Sequence, residues 1–210
     1  MTYYDFFTGR PTAEICQDLL GRALTFEGPQ GKLGGYIVEA EAYLGTKDRA
    51  AHSYGGRRSQ ANEGLYRPGG SLYIYSQRQY FFFDVACQEA GEPQGVLVRA
   101  IEPVWGIEQM EANRGGKSGV LLTNGPGKMM QALGIDSRKW DLAKLEDSPF
   151  AIDLTEQKAA KEIIAAPRIG ISQADPAWAK EKLRYYVAGN PYVSDMKKKD
   201  YDQGYGWAKV

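Results

Sequence analysis

The chain has 210 residues, 43% hydrophobic and 12% aromatic, which is enough for one sizeable core and too apolar for a disordered chain. No run approaches the ~20 apolar residues of a membrane span, and Met1-Thr2-Tyr3-Tyr4-Asp5 is no basic-then-apolar leader, so a soluble, cytoplasmic protein is expected. Two cysteines and one histidine exclude zinc ribbons, iron–sulfur clusters and zinc deaminases, while 26 basic against 26 acidic residues give nucleic-acid binding no support from net charge.

In chain order, Thr12 ahead of Ile15, Leu19 and Leu20, with Gly21 behind them, predicts a short capped helix. Residues 33–44 alternate as a strand, with Tyr36, Val38, Ala40, Ala42 and Leu44 on one face. Ile37, Glu39, Glu41 and Tyr43 take the other. Residues 45–70 hold six glycines and several arginines without a period. They predict a long loop, and such a loop in a compact domain is usually functional. Residues 72–75 and 80–85 are β-prone and read as a hairpin through the polar Ser76-Gln77-Arg78-Gln79. A strand over 95–101 is expected to end at Glu102-Pro103, where a helix starts and continues through Ile107 and Met110. Asn124-Gly125-Pro126-Gly127-Lys128 opens a second helix that stops near Gly134. Late strands are predicted over 163–171 and 183–187, with a short helix from Asp175-Pro176 between them. The tail after Ser194 reads as loosely ordered. The expectation is one α+β domain over residues 1–210, with a curved, mostly antiparallel sheet and peripheral helices.

Charge is unevenly spread. Residues 47–78 carry six basic side chains against two acidic ones, a net of +4, and residues 141–162 carry six acidic against three lysines, a net of −3. One nucleic-acid face is compatible with this polarity, as is an ordinary solvated surface. No P-loop, dinucleotide fingerprint or serine elbow is present, so nucleotide hydrolysis, dinucleotide binding and serine-hydrolase chemistry lack support. Cys16 and Cys87 form no CxxC pair and read as ordinary thiols.

Glu39, Glu41 and Tyr43 share a strand face that runs into the long loop. A period-2 pair cannot straddle a glycosidic bond from opposite sides, so at most one glutamate is catalytic. Both are otherwise solvated or ion-paired. His52, the single histidine, is an acid–base candidate with a structural role as the plainer alternative. Tyr43, Tyr73 and Tyr75 either form a stacking platform for a base or simply pack. Arg99, in a row with Leu97 and Ile101, needs a partner there: a buried carboxylate, a phosphate or a polar ligand. The Gly-Pro-Gly-Lys segment at 125–128 sets N–H groups and a lysine at a helix start, which suits a phosphate and is also ordinary helix punctuation.

Several blocks carry a family likeness. They are Val38-Glu39-Ala40-Glu41-Ala42-Tyr43-Leu44-Gly45, Ala50-Ala51-His52-Ser53, Gly55-Gly56-Arg57 and Gly70-Ser71-Leu72-Tyr73-Ile74-Tyr75. Val98-Arg99-Ala100-Ile101-Glu102-Pro103, Asn124-Gly125-Pro126-Gly127-Lys128 and Pro167-Arg168-Ile169-Gly170-Ile171 follow. Leu183-Arg184-Tyr185-Tyr186-Val187 with Gly189-Asn190-Pro191 closes the series. In this order, over nearly the whole chain, they resemble the alkyladenine (3-methyladenine) DNA glycosylase family of the non-helix-hairpin-helix type.

The resemblance implies a monofunctional enzyme that hydrolyses the N-glycosidic bond of alkylated or deaminated purines flipped out of duplex DNA, leaving an abasic site. It implies Glu41 as the base that activates water for attack on C1′, and Arg99 as the arginine that helps hold the catalytic site. Tyr43, His52 and Tyr75 match walls of the base pocket, and Arg57, Gly125 and Lys128 match contacts to DNA phosphates. The chemistry agrees: an electron-poor alkylated purine stacks well on tyrosine, and one carboxylate with one water suffices when the leaving base is already cationic. No metal or organic cofactor is implied. The expected partner is double-stranded DNA with damaged purines, met by a monomer.

Two departures stand out. The family's Tyr-Gly-Met-like wedge is absent, and the shorter Ser76-Gln77-Arg78-Gln79 stands in its place, so Gln77 or Arg78 is expected to enter the minor groove. Asp84 stands where the family has an Asn that screens purine exocyclic groups. Two rival classes are a non-catalytic nucleic-acid-binding domain on the same scaffold, with no use for Glu41 beside a base pocket, and a glycoside hydrolase, whose opposed carboxylate pair is not identifiable in the sequence.

Overall fold

The computed structural model describes residues 1–171 and 175–209. Two long strands, β2 (Gly31–Tyr43) and β5 (Gln94–Trp105), pair antiparallel at its centre. Both are rich in Val, Ile, Leu and Ala and buried on both faces, which suits central strands. Outward from β5 lie β4 (Tyr80–Cys87) and β3 (Leu72–Gln77); outward from β2 lie β1 (Ala23–Gly28) and β6 (Phe150–Ile152). Beyond β1, the same edge of β2 pairs with β8 (Arg184–Val187), which carries β7 (Ile163–Ala166). All described strand pairings are antiparallel, and the α+β architecture with a curved sheet matches the expectation.

Strict alternation fails at one place in β2. Ile37 faces Ile101 and Glu39 faces Ala100, so Val38 is an extra residue; Ala40 then faces Val98, so Arg99 is an extra residue on β5. Paired bulges of this kind bend the strands and re-aim side chains. Ile37, assigned by alternation to the glutamate face, accordingly lies in the apolar core with Val38, Ala40 and Ala42.

β5 also runs past the expected helix start. Pro103 sits opposite Gly35 at a register shift, where a missing N–H is tolerated. The backbones approach so closely that a Cβ on Gly35 would lie 1.9 Å from the Glu102 carbonyl oxygen. The helix begins only at Ile107, as α3 (Ile107–Asn113), after Gly106.

Helices cover the sheet. α1 (Tyr3–Phe7), unforeseen in the sequence, is capped by Thr2 and Asp5, and α2 (Thr12–Asp18) packs on β2. α4 (Pro126–Ala132) lies on β4 and β5 through buried Met129 and Met130. α5 (Pro176–Lys180) starts where Asp175-Pro176 predicts, with the Asp175 carboxylate accepting from Trp178 N–H. β7 stops at Ala166 before Pro167, earlier than the expected strand. The tail is fastened rather than loose: Trp207 is buried, its Nε1 donates to Glu102 Oε2 at 2.6 Å, and Ala208 N–H bonds Ala159 O. Among the described residues, no helix is long and apolar enough to cross a membrane.

Candidate active site

Strand pairing sets five side chains in one row across the sheet. Tyr73 opposes Asp84, Asp84 opposes Leu97, Leu97 opposes Glu41, and Glu41 opposes Arg184. Directly paired residues project from the same face. A cleft of about 460 Å³ lies against this face, lined by Tyr73, Asp84 and Leu97 together with Tyr43, His52, Tyr75 and Arg99. Its size is that of a small-molecule site, roughly 300–1,000 Å³.

Glu41 is wholly buried. Its Oε1 accepts the Ile169 N–H at 2.8 Å and lies 3.3 Å from Arg99 Nη1; its Oε2 accepts the Tyr43 hydroxyl at 2.8 Å. Tyr43 and Arg99, which both line the cleft, connect this carboxylate to it. Glu39 is buried too, but its oxygens are taken by Arg99 Nε (3.1 Å), Arg184 Nη1 (3.0 Å) and Ser194 N–H (2.8 Å). The bulge in β5 thus delivers Arg99, 6% exposed, between two carboxylates. Its partner, left open by the sequence, is a pair of buried carboxylates. Such a cation offsets the cost of burying their charge.

The facing wall is aromatic. Tyr73 and Tyr75 stack with ring centres 4.9 Å apart, and Tyr75 stacks with Phe82, its cross-strand partner, at 5.1 Å. His52 meets Tyr75 edge-on at 4.8 Å, and its Nδ1 is 2.7 Å from the Tyr73 hydroxyl. Partial burial, with Arg57 nearby, lowers the His52 pKa below its ordinary value, so the imidazole is neutral near pH 7. Burial, reinforced by the charge of Glu41, drives the Tyr43 pKa well above its ordinary value and keeps the hydroxyl a donor.

Asp84 stands in the same row, separated from Glu41 by Leu97. It is 4% exposed, and its Oδ1 has no hydrogen-bond partner among the described residues. Burial, and then the charge of Glu41, push its pKa well above the usual carboxylate value.

Two residues with no role in the sequence reading hold this arrangement. Arg168 and Asp48 form a buried two-pronged ion pair at 2.6 and 2.8 Å, and Arg168 lies 4.6 Å from the Tyr43 ring centre. Asp48 also accepts the Leu44 and Ala50 N–H groups, while Arg168 donates to the Ala42 carbonyl. The pair pins the start of the long loop and places the Ile169 amide on Glu41. Arg168, a lone charge in the apolar run 163–171, is its one local signal; Asp48 stands beside Lys47 and Arg49 and gives none.

The arginines of residues 49–78 divide. Arg49 pairs with Asp175, and both Arg58 and Arg67 pair with Glu63. Arg57 and Arg78 are exposed and form no ion pair among the described residues. Gln77 and Arg78 line the cleft; Arg57 stands outside it, near His52. The 125–128 segment reaches the site indirectly. Gly127 packs under Tyr80, where a Cβ would lie 2.8 Å from the ring, and Tyr80 lines the cleft. The Gly125 N–H is bonded to Thr123 O, so it is not free for a phosphate, and Lys128 Nζ donates to Asn124. Among the described residues, no three His, Cys, Asp or Glu side chains cluster to hold a metal ion.

The comparisons with known proteins converge. A protein of Lactobacillus delbrueckii subsp. bulgaricus is 73% identical over 207 residues, 99% of this chain and 100% of the relative. One from Lactobacillus helveticus is 68% identical over 210 residues, 99% of this chain and 100% of the relative. One from Enterococcus faecalis is 45% identical over 204 residues, 97% of this chain and 88% of the relative. All three are provisionally named 3-methyladenine DNA glycosylases. Residues 5–191 match the family described as methylpurine-DNA glycosylase (MPG). With that match spanning most of the chain, the chain belongs to the methylpurine-DNA glycosylase family, a family of DNA glycosylases.

Proposed function

We propose that this protein hydrolyses the N-glycosidic bond of alkylated or deaminated purines flipped out of double-stranded DNA, and leaves an abasic site. The observation that carries the reading is the buried Glu41 carboxylate, clamped by Arg99, Tyr43 and the Ile169 amide behind a cleft with an aromatic wall. A carboxylate oxygen accepts two hydrogen bonds. Glu41 Oε2 receives one from Tyr43, and its second acceptor position suits a water placed to attack C1′. In this reading Glu41 is the general base, and Arg99 positions it. Tyr43, His52, Tyr75 and Asp84 receive the base, since a base must leave the stack before its sugar carbon can be reached. Arg57, Gln77, Arg78 and Lys128, the last set by the turn at Gly125, contact the DNA. The protein acts as a monomer in the cytoplasm.

Duplexes carrying 7-methylguanine, ethenoadenine or hypoxanthine, incubated with the protein and treated with alkali, test the proposal. Strand breaks at the lesion are expected. Damage-selective binding without abasic sites would make this a non-catalytic reader of DNA.

A further inference from the structure

Resting on the glycosylase reading above, we propose that Asp84 donates a proton to a ring nitrogen of a neutral purine as its bond to C1′ breaks. Such donation extends the substrate range from cationic to neutral damaged bases.

The first support is the orphaned oxygen. A buried polar atom without a partner is costly, and native proteins rarely tolerate one without a functional reason. Asp84 Oδ1 is such an atom, on the wall of the cleft. The charge that acts on it is that of Glu41 on β2, and its own charge reaches Tyr43 on β2, Tyr73 and Tyr75 on β3, and Cys87 on β4. Arg99 on β5 shares the cleft but is engaged by Glu39 and Glu41, and no cation lies within ion-pair distance of Asp84 among the described residues. Burial and the charge of Glu41 favour the protonated form of an acid so placed, and it can give that proton to an acceptor brought into the cleft.

The second support is spacing. Asp84 and Glu41 occupy one row with Leu97 between them. Their backbones are therefore two strand spacings apart, roughly 9.5 Å. Hydrolases that pair a carboxylic acid on the leaving group with a carboxylate on the attacking water hold the two carboxyls about 6.5–9.5 Å apart. The sheet supplies an acid and a base at a compatible separation, from β4 and β2 on either side of β5.

The bonds and protons balance without a co-reactant. The Asp84 proton passes to a purine ring nitrogen, and the electron pair of the C1′–N bond leaves with the base. Water forms the new C1′–O bond and gives its proton to Glu41. The products are the free purine, the abasic sugar, an Asp84 carboxylate and a Glu41 carboxylic acid; exchange with solvent restores both. A purine already cationic through methylation needs no such proton, because it departs neutral.

Asp84→Asn keeps the shape and a hydrogen-bond donor but cannot transfer a proton. Single-turnover release of ethenoadenine, a neutral base, is expected to fall about 10²–10⁴-fold in this variant. Release of 3-methyladenine from methylated DNA falls far less, so the ratio of the two rates shifts, and a cooperative melting curve shows that the variant is folded. In the wild type, ethenoadenine release declines towards alkaline pH while 3-methyladenine release does not. Equal losses on both bases, unchanged ethenoadenine release, or parallel wild-type pH profiles each overturn the assignment. A wild type that releases only 3-methyladenine overturns it while leaving the glycosylase reading intact. Release of neither base overturns the glycosylase reading itself.

Discussion

Arg99 and Glu39 meet at 3.1 Å inside the sheet, and the same guanidinium reaches Glu41 at 3.3 Å. One cation serves both glutamates, but the rest of their surroundings differ. Glu39 also binds Arg184 and the Ser194 amide, all structural donors. Glu41 is completed by the hydroxyl of Tyr43, which lines the cleft.

Glu41→Gln should therefore lower single-turnover excision roughly 10²–10⁴-fold while leaving damaged-duplex binding in place. Glu39→Gln should act mainly on the melting temperature, because removing one partner of a buried ion pair costs roughly 3–5 kcal/mol. Rates on a methylated duplex and melting curves separate the two. An active Glu41→Gln beside an inactive, fully folded Glu39→Gln would reverse the assignment.

The nucleophile is expected to be water. No described residue lining the cleft is a lysine, so no Schiff base with the sugar should form. Borohydride added during turnover should trap no protein–DNA adduct, and excess chelator should leave the rate unchanged. A covalent adduct on a denaturing gel overturns this.

The sequence makes some of this arrangement legible and hides the rest for physical reasons. Period-2 alternation over 33–44 suffices to set Glu39, Glu41 and Tyr43 on one face, because side-chain direction in a strand is local. The bulges at Val38 and Arg99 are not local. They arise from how β2 and β5 fit together, so neither strand alone announces them. Arg99 shows in sequence only as a charge that needs a partner, since its two glutamates lie on another strand. Asp48 and Arg168 are separated by 120 residues, and only folding brings them together. Pro103 misleads because proline suits both a helix start and a strand irregularity, and the close approach of Gly35 decides for the second. Trp207 likewise finds Glu102 only in three dimensions.

Asp84 should lower stability at neutral pH. Burial, then the charge of Glu41, raise its folded pKa well above the usual value, whereas the unfolded chain ionises near ~3.9. Above that pH the folded state holds a proton that the unfolded state has lost. Its contribution to stability is thus fully present below ~3.9 and is lost as pH rises towards the folded value. Asp84→Asn should melt higher than the wild type at pH 7, by about 2–4 °C for each kcal/mol recovered, with the gap closing near pH 4. A gap independent of pH would assign the effect to packing.

The hairpin tip offers the last test. Gln77 pairs with Tyr80, so the turn is Arg78 and Gln79 alone, shorter than the four-residue connection in the sequence reading. Both have left-handed backbones, at φ 50° and 70°. Two-residue turns of this kind favour Asn-Gly, and other side chains there cost roughly 1–2 kcal/mol each. A long cation kept at a strained tip, exposed and lining the cleft, points to use of the side chain. A guanidinium plane can stack on bases and also bond groove acceptors, which suits the gap left by a flipped nucleotide. Arg78→Gly removes the side chain and relieves the strain, so it should melt no lower than the wild type. It should slow excision from fully paired duplexes and spare single-stranded or mismatched substrates, where unstacking is already cheap. Gln77→Ala should show the same pattern more weakly. Equal losses on every substrate would reduce Arg78 to a phosphate contact. No loss from either change would move the wedge to Tyr80, the exposed ring that closes the hairpin and packs on Gly127.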